Sequence, residues 1–225
     1  MKIFRWMGFL FLLGLPAACG ILRPSLPESP GNLFIREKAP HLVSFKAAFE
    51  GQRDQLRANG FLAYSLHRDS TQSDLLILTL KCSNLRKGAS FIQSTAFRNA
   101  MKKAGVQDPV LWSGVDVMER KYENRPKPVG GIVIAHNEVK SYDFWKACWD
   151  AEGKHRHAKR GYQASRYSIH HLSGKPDQVW VVHEASDVKK APAFMTASPM
   201  KGVMESMGVT GLEIWYGVNL EEGVF

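Results

Sequence analysis

The chain repeats itself, and that constrains its fold more than any other feature. Shifted by 103 residues, Tyr64 to Glu119 aligns with Tyr167 to Glu222 without a gap, and 15 of the 56 positions are identical. A unit written twice predicts one supersecondary arrangement formed twice. The matches cluster: Tyr64-Ser65-Leu66-His67 meets Tyr167-Ser168-Ile169-His170, Gly105-Val106 meets Gly208-Val209, and Trp112-Ser113-Gly114-Val115 meets Trp215-Tyr216-Gly217-Val218. With a slightly smaller shift, Phe45-Lys46-Ala47-Ala48-Phe49-Glu50 meets Trp145-Lys146-Ala147-Cys148-Trp149-Asp150. The repeats are expected over 32–118 and 132–222. Residues 119–131, with Arg125-Pro126-Lys127-Pro128 and a Gly pair, have linker composition.

Each repeat reads β-α-β-β-α-β. In the second, Ile132 to Glu138 is a β-branched run, and Ser141 to Arg160 carries helical spacing with Trp145 and Trp149 four apart. Gln163 to His171 and Gln178 to Ala185 are expected strands around a Ser173-Gly174-Lys175-Pro176 turn. Asp187 is an expected helix cap, Ser198-Pro199 a second cap with Pro at the first helical position, Gly208 a stop, and Leu212 to Leu220 the last strand. In the first repeat Asn84, Thr95 and Gly105 play the same parts. This order is the ferredoxin-like motif, an α+β unit with both helices on one face of a four-stranded antiparallel sheet. The bare face must be covered, and the other repeat is at hand to cover it.

Val139-Lys140-Ser141-Tyr142-Asp143-Phe144-Trp145 is similar to a V-K-D-Y-x-x-W helix opening. Asp187-Val188-Lys189-Lys190-Ala191, Ala197-Ser198-Pro199 and Met207-Gly208-Val209 are similar to a D-L-x-K-A, A-S-P and A-G-V run. Both sets resemble the dimeric α+β barrel family, which includes the antibiotic-biosynthesis-monooxygenase-like and cyclase-like small proteins. These motifs are caps and turns rather than catalytic groups. Where many relatives have an acidic D-D-P turn, this chain has Ser173-Gly174-Lys175-Pro176-Asp177. Sheets of that family pair between two chains, so the resemblance implies two ferredoxin-like repeats whose sheets pack into one intrachain α+β barrel. It also permits a cofactor-independent monooxygenase-like or haem-handling activity.

Strand alternation sorts side chains between the two faces of each sheet. The more apolar sets, Leu76, Leu78, Leu80 and Cys82, and Val179, Val181 and Ala185 with His183, are expected under the helices. Tyr64 and Leu66 join them, which sends Ser65, His67, Ser168 and His170 toward the barrel interior. The same parity sends Trp112, Asp116, Trp180, Glu184, Trp215 and Asn219 inward. The expected ligand-binding set is therefore His67, Trp112, His170, Trp180, Glu184 and Trp215, an aromatic lining with a few directed polar groups. The same aromatics are also what two packed sheets need as filler. If the chain is an enzyme, His170 or His67 is the expected base.

Six of the eight histidines lie in the second repeat, yet His155 and His157 point to different sides of a helix and His136 and His183 fall at opposite ends of a sheet. No metal site and no resident cofactor is expected. G-x-x-x-x-G-K, H-E-x-x-H, G-x-S-x-G and G-x-G-x-x-G are all absent, which excludes the common nucleotide, zinc-protease and serine-hydrolase readings.

The first residues read as an export signal over 1–18: Lys2 and Arg5, then an uncharged run from Trp6, then Pro16-Ala17-Ala18 before Cys19. Cys19 is the expected lipidation site of a bacterial lipobox-like sequence, although Pro16 stands where Leu is usual. Ordinary cleavage after Ala18 and an uncleaved anchor over the 17 residues Trp6 to Leu22 are the alternatives. Residues 19–31, with Pro24, Pro27 and Pro30, suit an extended tether. The expected address is the bacterial cell envelope, membrane-anchored through lipidated Cys19 and facing the periplasm or the exterior. Cys82 and Cys148 fit small buried thiols better than a disulfide. Repeat one has 12 basic against 7 acidic residues and repeat two 11 of each, so the net charge of +9 is carried by the first repeat, the linker and the signal. In an exported protein such charge meets anionic lipid rather than nucleic acid. The run Lys154-His155-Arg156-His157-Ala158-Lys159-Arg160 is read as cations closing a helix. The expected partners are a small molecule and a membrane surface, no nucleic acid, with a monomer or a dimer of barrels.

Overall fold

The computed structural model describes residues 26–121, 130–151, 164–172 and 175–225. The signal, Cys19, most of the tether and linker, the basic run 154–160 and the Ser173-Gly174 turn lie outside the described residues.

The first half begins with β1 (Gly31–Lys38), whose Leu33 and Ile35 face one side and Phe34 and Arg36 the other. Helix α1 (Leu42–Glu50) buries Phe45 and Phe49, and α2 (Arg53–Ala58) buries Leu56. Strands β2 (Phe61–Asp69) and β3 (Leu75–Cys82) follow. Helix α3 (Leu85–Ile92) is capped as expected by Asn84, whose side-chain oxygen accepts the Lys87 N–H at 2.9 Å. Helix α4 (Thr95–Lys103) is capped by Ser94 rather than Thr95: the Ser94 hydroxyl accepts the Phe97 N–H at 3.2 Å. Strand β4 (Gln107–Lys121) completes the half.

The second half has the same order: β5 (Gly131–Val139), α5 (Tyr142–Ala151), β6 (Ala164–Leu172), β7 (Lys175–Ala185), a 3-10 turn at Val188–Lys190, α6 (Ala191–Met195), α7 (Ser198–Ser206) and β8 (Val209–Val224). Asp187 precedes the 3-10 turn without a capping hydrogen bond and pairs instead with Lys190 at 3.2 Å. Ala197, not Ser198, is the cap of α7, which places Pro199 in its first turn, where no N–H is needed. Gly105 and Gly208 end their helices at φ +88 and +77.

All strand pairings are antiparallel, and the eight strands close into a barrel in the order β1-β3-β2-β8-β5-β7-β6-β4. Each half therefore contributes four consecutive strands, β4-β1-β3-β2 and β8-β5-β7-β6, and the halves join edge to edge at β2/β8 and β4/β6. That joining explains why the last strands outrun the sequence reading. Expected over Leu212–Leu220, β8 continues so that Val224 pairs with Ala63 and Glu222 with Ser65. Likewise β4 runs past Met118, pairing Arg120 with Tyr167 and Lys121 with Arg166. Period-2 patterning marks a strand where one face is buried, and these tails are held by edge pairing instead. Strand β7 also starts early, taking Lys175 and Pro176 from the expected turn.

Three cores result. Leu33, Phe45, Leu56, Leu78 and Leu80 pack between the first sheet and its helices. Val133, Val188 and Met195, with a neighbouring group of Trp145, Trp149 and Val181, do so in the second half. Phe34, Ile77, Ile132, Ile134, Trp180 and Trp215 fill the lumen between the sheets. Cys82 and Cys148 form no disulfide with each other and lie in different halves, and the Cys82 thiol donates to the Gly31 carbonyl at 3.4 Å.

The strands approach so closely at one matched place in each half that no side chain fits. A Cβ at Gly31 would lie 2.7 Å from the Gly114 carbonyl oxygen, and one at Gly131 2.0 Å from that of Gly217. Gly131→Ala is expected to destabilise the fold by about 2 kcal/mol or more in chemical denaturation, because backbone must move. Val43→Ala, on an exposed site of α1, is expected to stay within about 0.5 kcal/mol of the parent.

Candidate functional site

The lumen gathers three of the expected site residues. Trp112 of β4 stacks on Trp215 of β8 at 3.5 Å between ring centroids and 11° between planes, and Trp180 of β7 lies 6.4 Å from Trp112. His136 of β5 stacks on Trp180 at 4.9 Å and bonds the Gln178 side chain at 2.5 Å. Indoles at stacking distance leave no room between them, so this part of the lumen is packed side chain. Polar groups hold the stack in place. The Trp215 indole N–H donates to Glu213 at 2.9 Å, and the Arg36 guanidinium sits 5.9 Å over the same ring while pairing with buried Asp69 at 3.2 Å.

His67 is 1% exposed and lies apart from the stack, on β2 opposite Asn219 of β8. Its Nε2 bonds the Ser65 hydroxyl at 2.9 Å, which bonds Thr79 at 2.5 Å, while Nδ1 has no hydrogen-bond partner. Burial pushes the ring's pKa down to about 3, so it is neutral across the ordinary pH range. Glu184 is half-buried, on the strand face it shares with Trp180, opposite Ile132. His170 pairs in register with Trp180 on one side and Asp116 on the other; the His170 and Asp116 side chains lie outside the described ones.

The other face of the first sheet carries a feature that sequence reading missed. A cleft of about 810 Å³ opens between β1, α3, α4 and the start of β4. Its lining is mixed: Leu78, Ile92, Phe97 and Met101 are apolar, Gln93, Asn99 and Gln107 polar, and the buried acid is Glu37. Glu37 is 5% exposed, and no hydrogen bond or ion pair from the described residues reaches its carboxyl group. Burial alone pushes its pKa up to about 7. Opposite it the β1/β4 register slips by a bulge between Arg36 and Lys38, and Asp108 takes a left-handed backbone at φ 49. The bulge turns the β4 chain aside where the cleft opens. A buried carboxyl group able to gain and lose a proton near neutrality, beside a cleft of ligand size, can bind a polar group or move a proton.

The cleft's described lining contains no imidazole or thiolate to serve as an axial haem ligand, and Met101 is part of the core behind it. In the lumen the His136 Nε2 bonds Gln178, and His67, whose Nδ1 is open, is 1% exposed among close-packed side chains that leave no face for a porphyrin. The described donors therefore do not fit haem, and no group of three metal-ligating side chains occurs among the described residues.

No protein-family profile matches the chain, and no curated protein sequence does. Solved structures do. An anthrone oxidase-like protein superposes with a TM-score of 0.60 at 10% identity over 87% of this chain and 93% of its own. A candidate monooxygenase from Lactobacillus acidophilus gives 0.55 at 10% identity over 88% and 97%. A haem-binding protein from Thermus thermophilus gives 0.50 at 14% identity over 87% and 95%. The likeness is one of fold.

Glu37 was legible in principle. In Leu33-Phe34-Ile35-Arg36-Glu37 it shares the parity of Leu33 and Ile35, a carboxylate on the helix-facing side. Its burial makes a testable signature. The folded pKa of about 7 exceeds the ordinary 4.5, so the folded chain holds the proton more tightly, and stability is lost as pH rises through that window. Glu37→Gln is expected to remove this loss and to gain about 3 kcal/mol over the parent above the window, with no gain below it. Denaturant titrations on both sides of neutrality check it; an equal effect at both pH values refutes the burial account.

Proposed function

We propose that this chain is a small-molecule-binding protein of the monooxygenase-like α+β type, that its ligand is apolar or aromatic, and that the cleft above β1 is where the ligand sits. The observation that carries the proposal is Glu37, an unpartnered carboxyl group at the floor of a cavity within the 300–1,000 Å³ typical of such sites. A buried acid is tolerated at a stability cost, and a ligand hydroxyl or amide N–H would give it the partner the protein does not. If the protein turns its ligand over, the Glu37 carboxylate is the base that takes the proton, and its apolar walls keep that carboxylate poorly solvated and basic. The fold neighbours named as oxidase-like and monooxygenase proteins support this chemistry by analogy.

A second reading keeps the ligand in the lumen, on His67, Trp112, His170, Trp180, Glu184 and Trp215. The buried, unpartnered His67 Nδ1 and Trp180 Nε1 favour it. The two are separated by titrating 1-naphthol into the protein and following methyl and indole NMR signals. The cleft reading expects shifts at Leu78 and Met101 and an affinity about tenfold weaker in Glu37→Gln. Shifts confined to Trp180 and Trp215, unchanged in Glu37→Gln, favour the lumen.

We also propose that the chain is a tandem fusion of two ferredoxin-like units, supported by the 103-residue repeat and by the matched order of its strands. Export and anchoring rest on residues 1–31 alone. With Cys19 acylated, the protein is expected in the membrane fraction and Cys19→Ser in the soluble one. Equal partition of both refutes the anchor.

A further inference from the structure

The charged groups of the cleft differ in exposure. Glu37 is buried, as are the apolar lining residues Leu78 and Met101. At the rim, Arg98 and Lys102 lie four residues apart on α4, hence on one face of the helix, both exposed and neither paired with a carboxylate among the described residues. Asp108, from β4, is the second acidic group on the same lining.

We propose, building on the cleft reading above, that the ligand is an amphiphilic carboxylate with a hydroxyl, aliphatic or phenolic, at its far end, the carboxylate meeting Arg98 and Lys102 at the rim and the hydroxyl reaching Glu37. A guanidinium and an ammonium on adjacent turns match one carboxylate with charge-assisted hydrogen bonds. A purely apolar molecule would seal Glu37 away from water without a partner, which costs more than leaving the cleft open. A cationic ligand would have to pass two like charges at the rim to reach the floor.

The order of charges also sets the sign of a pH effect. The ionisable groups lining this cleft are Arg98 and Lys102 from α4, Asp108 from β4 and Glu37 from β1. An anion brought into the cleft opposes ionisation of Glu37, so the complex holds that proton more firmly than the free protein. Affinity therefore falls as pH rises through about 7. A cationic ligand would show the opposite slope.

Calorimetric titration of the full chain with ω-hydroxydecanoate, decanoate, decanol and decylammonium, on both sides of neutral pH, tests the assignment. The hydroxy acid is expected to bind about tenfold more tightly than decanoate or decanol. The exposed Arg98→Gln/Lys102→Gln pair is expected to lose about tenfold for both carboxylates and nothing for decanol, whose binding also reports that the variant is folded. Tighter binding of decylammonium, or an unchanged hydroxy-acid affinity in the rim variant, overturns the ligand class while the cleft stands. If none of the four, decanol included, shifts the Leu78 and Met101 methyl signals, the cleft reading itself falls.

Discussion

A four-stranded antiparallel sheet with helices on one face leaves one apolar face bare and two edges with unmade hydrogen bonds. Joining two such sheets edge to edge removes both liabilities at once, and everything else here depends on that closure. The β2/β8 and β4/β6 seams supply the missing backbone bonds, and the two bare faces become the lumen. Side chains lock the first seam from outside. Phe225 packs on Phe49, Phe61 and Tyr64, and the Tyr64 hydroxyl donates to Glu221 at 2.5 Å while Lys46 pairs with the same carboxylate. The hydrogen bond to Glu221 pushes the Tyr64 pKa up to about 12, and the bond from Lys46 holds Glu221 below the usual carboxylate range. Half two thus completes the core of half one.

Closure gives the two faces of each strand different work, and β1 shows it in consecutive residues. Arg36 points into the lumen, where Asp69 and the Trp215 ring hold it. Glu37 points the other way, into the cleft, where nothing among the described residues holds it. The lumen has large rings in contact and charges in pairs, which suits rigidity. The cleft has a carboxyl group that burial pushes toward neutrality, Asp108 in a left-handed backbone and exposed cations that no described carboxylate pairs, which suits binding.

Much of this was written plainly in the chain. The repeat carried the element order, and alternation separated Leu76, Leu78 and Leu80 from Ile77, and Val179 and Val181 from Trp180, as the cores have them. Asn84, Gly105 and Gly208 act locally, so their caps and stops were readable. The ends of β4 and β8 were not, because their tails are held by partners more than a hundred residues away or across a half boundary, and no local pattern encodes an edge. Ser94 and Thr95 are equally good caps by composition, and it is the Ser94 hydroxyl that accepts the Phe97 N–H. The cleft was missed for a different reason. Aromatic and histidine clusters are conspicuous in sequence, whereas Glu37 stands out only through what surrounds it: a buried acid among neighbours drawn from four other elements.

The two halves place different chemistry at this one position. With the shift of 100 that aligns Phe45 with Trp145, Glu37 aligns with Asn137, also buried on the helix-facing side at 1% exposure. The Asn137 amide donates to the Ala135 and Val179 carbonyls at 3.2 and 3.5 Å, bonds a carboxylate cannot make because it has no donor. The amide nitrogen there is satisfied by its own sheet, its oxygen is left without a hydrogen bond, and the group takes up no proton. A carboxyl group at the matching place must either stay protonated or find a partner in the cleft. Beside Asn137's sheet stand Trp145 and Trp149, at the places where the first half has the smaller rings of Phe45 and Phe49. One half spends the shared architecture on bulk and internal hydrogen bonds. The other leaves space and an ionisable group, and in two halves of the same element order that difference is what favours the first half for the ligand proposed above.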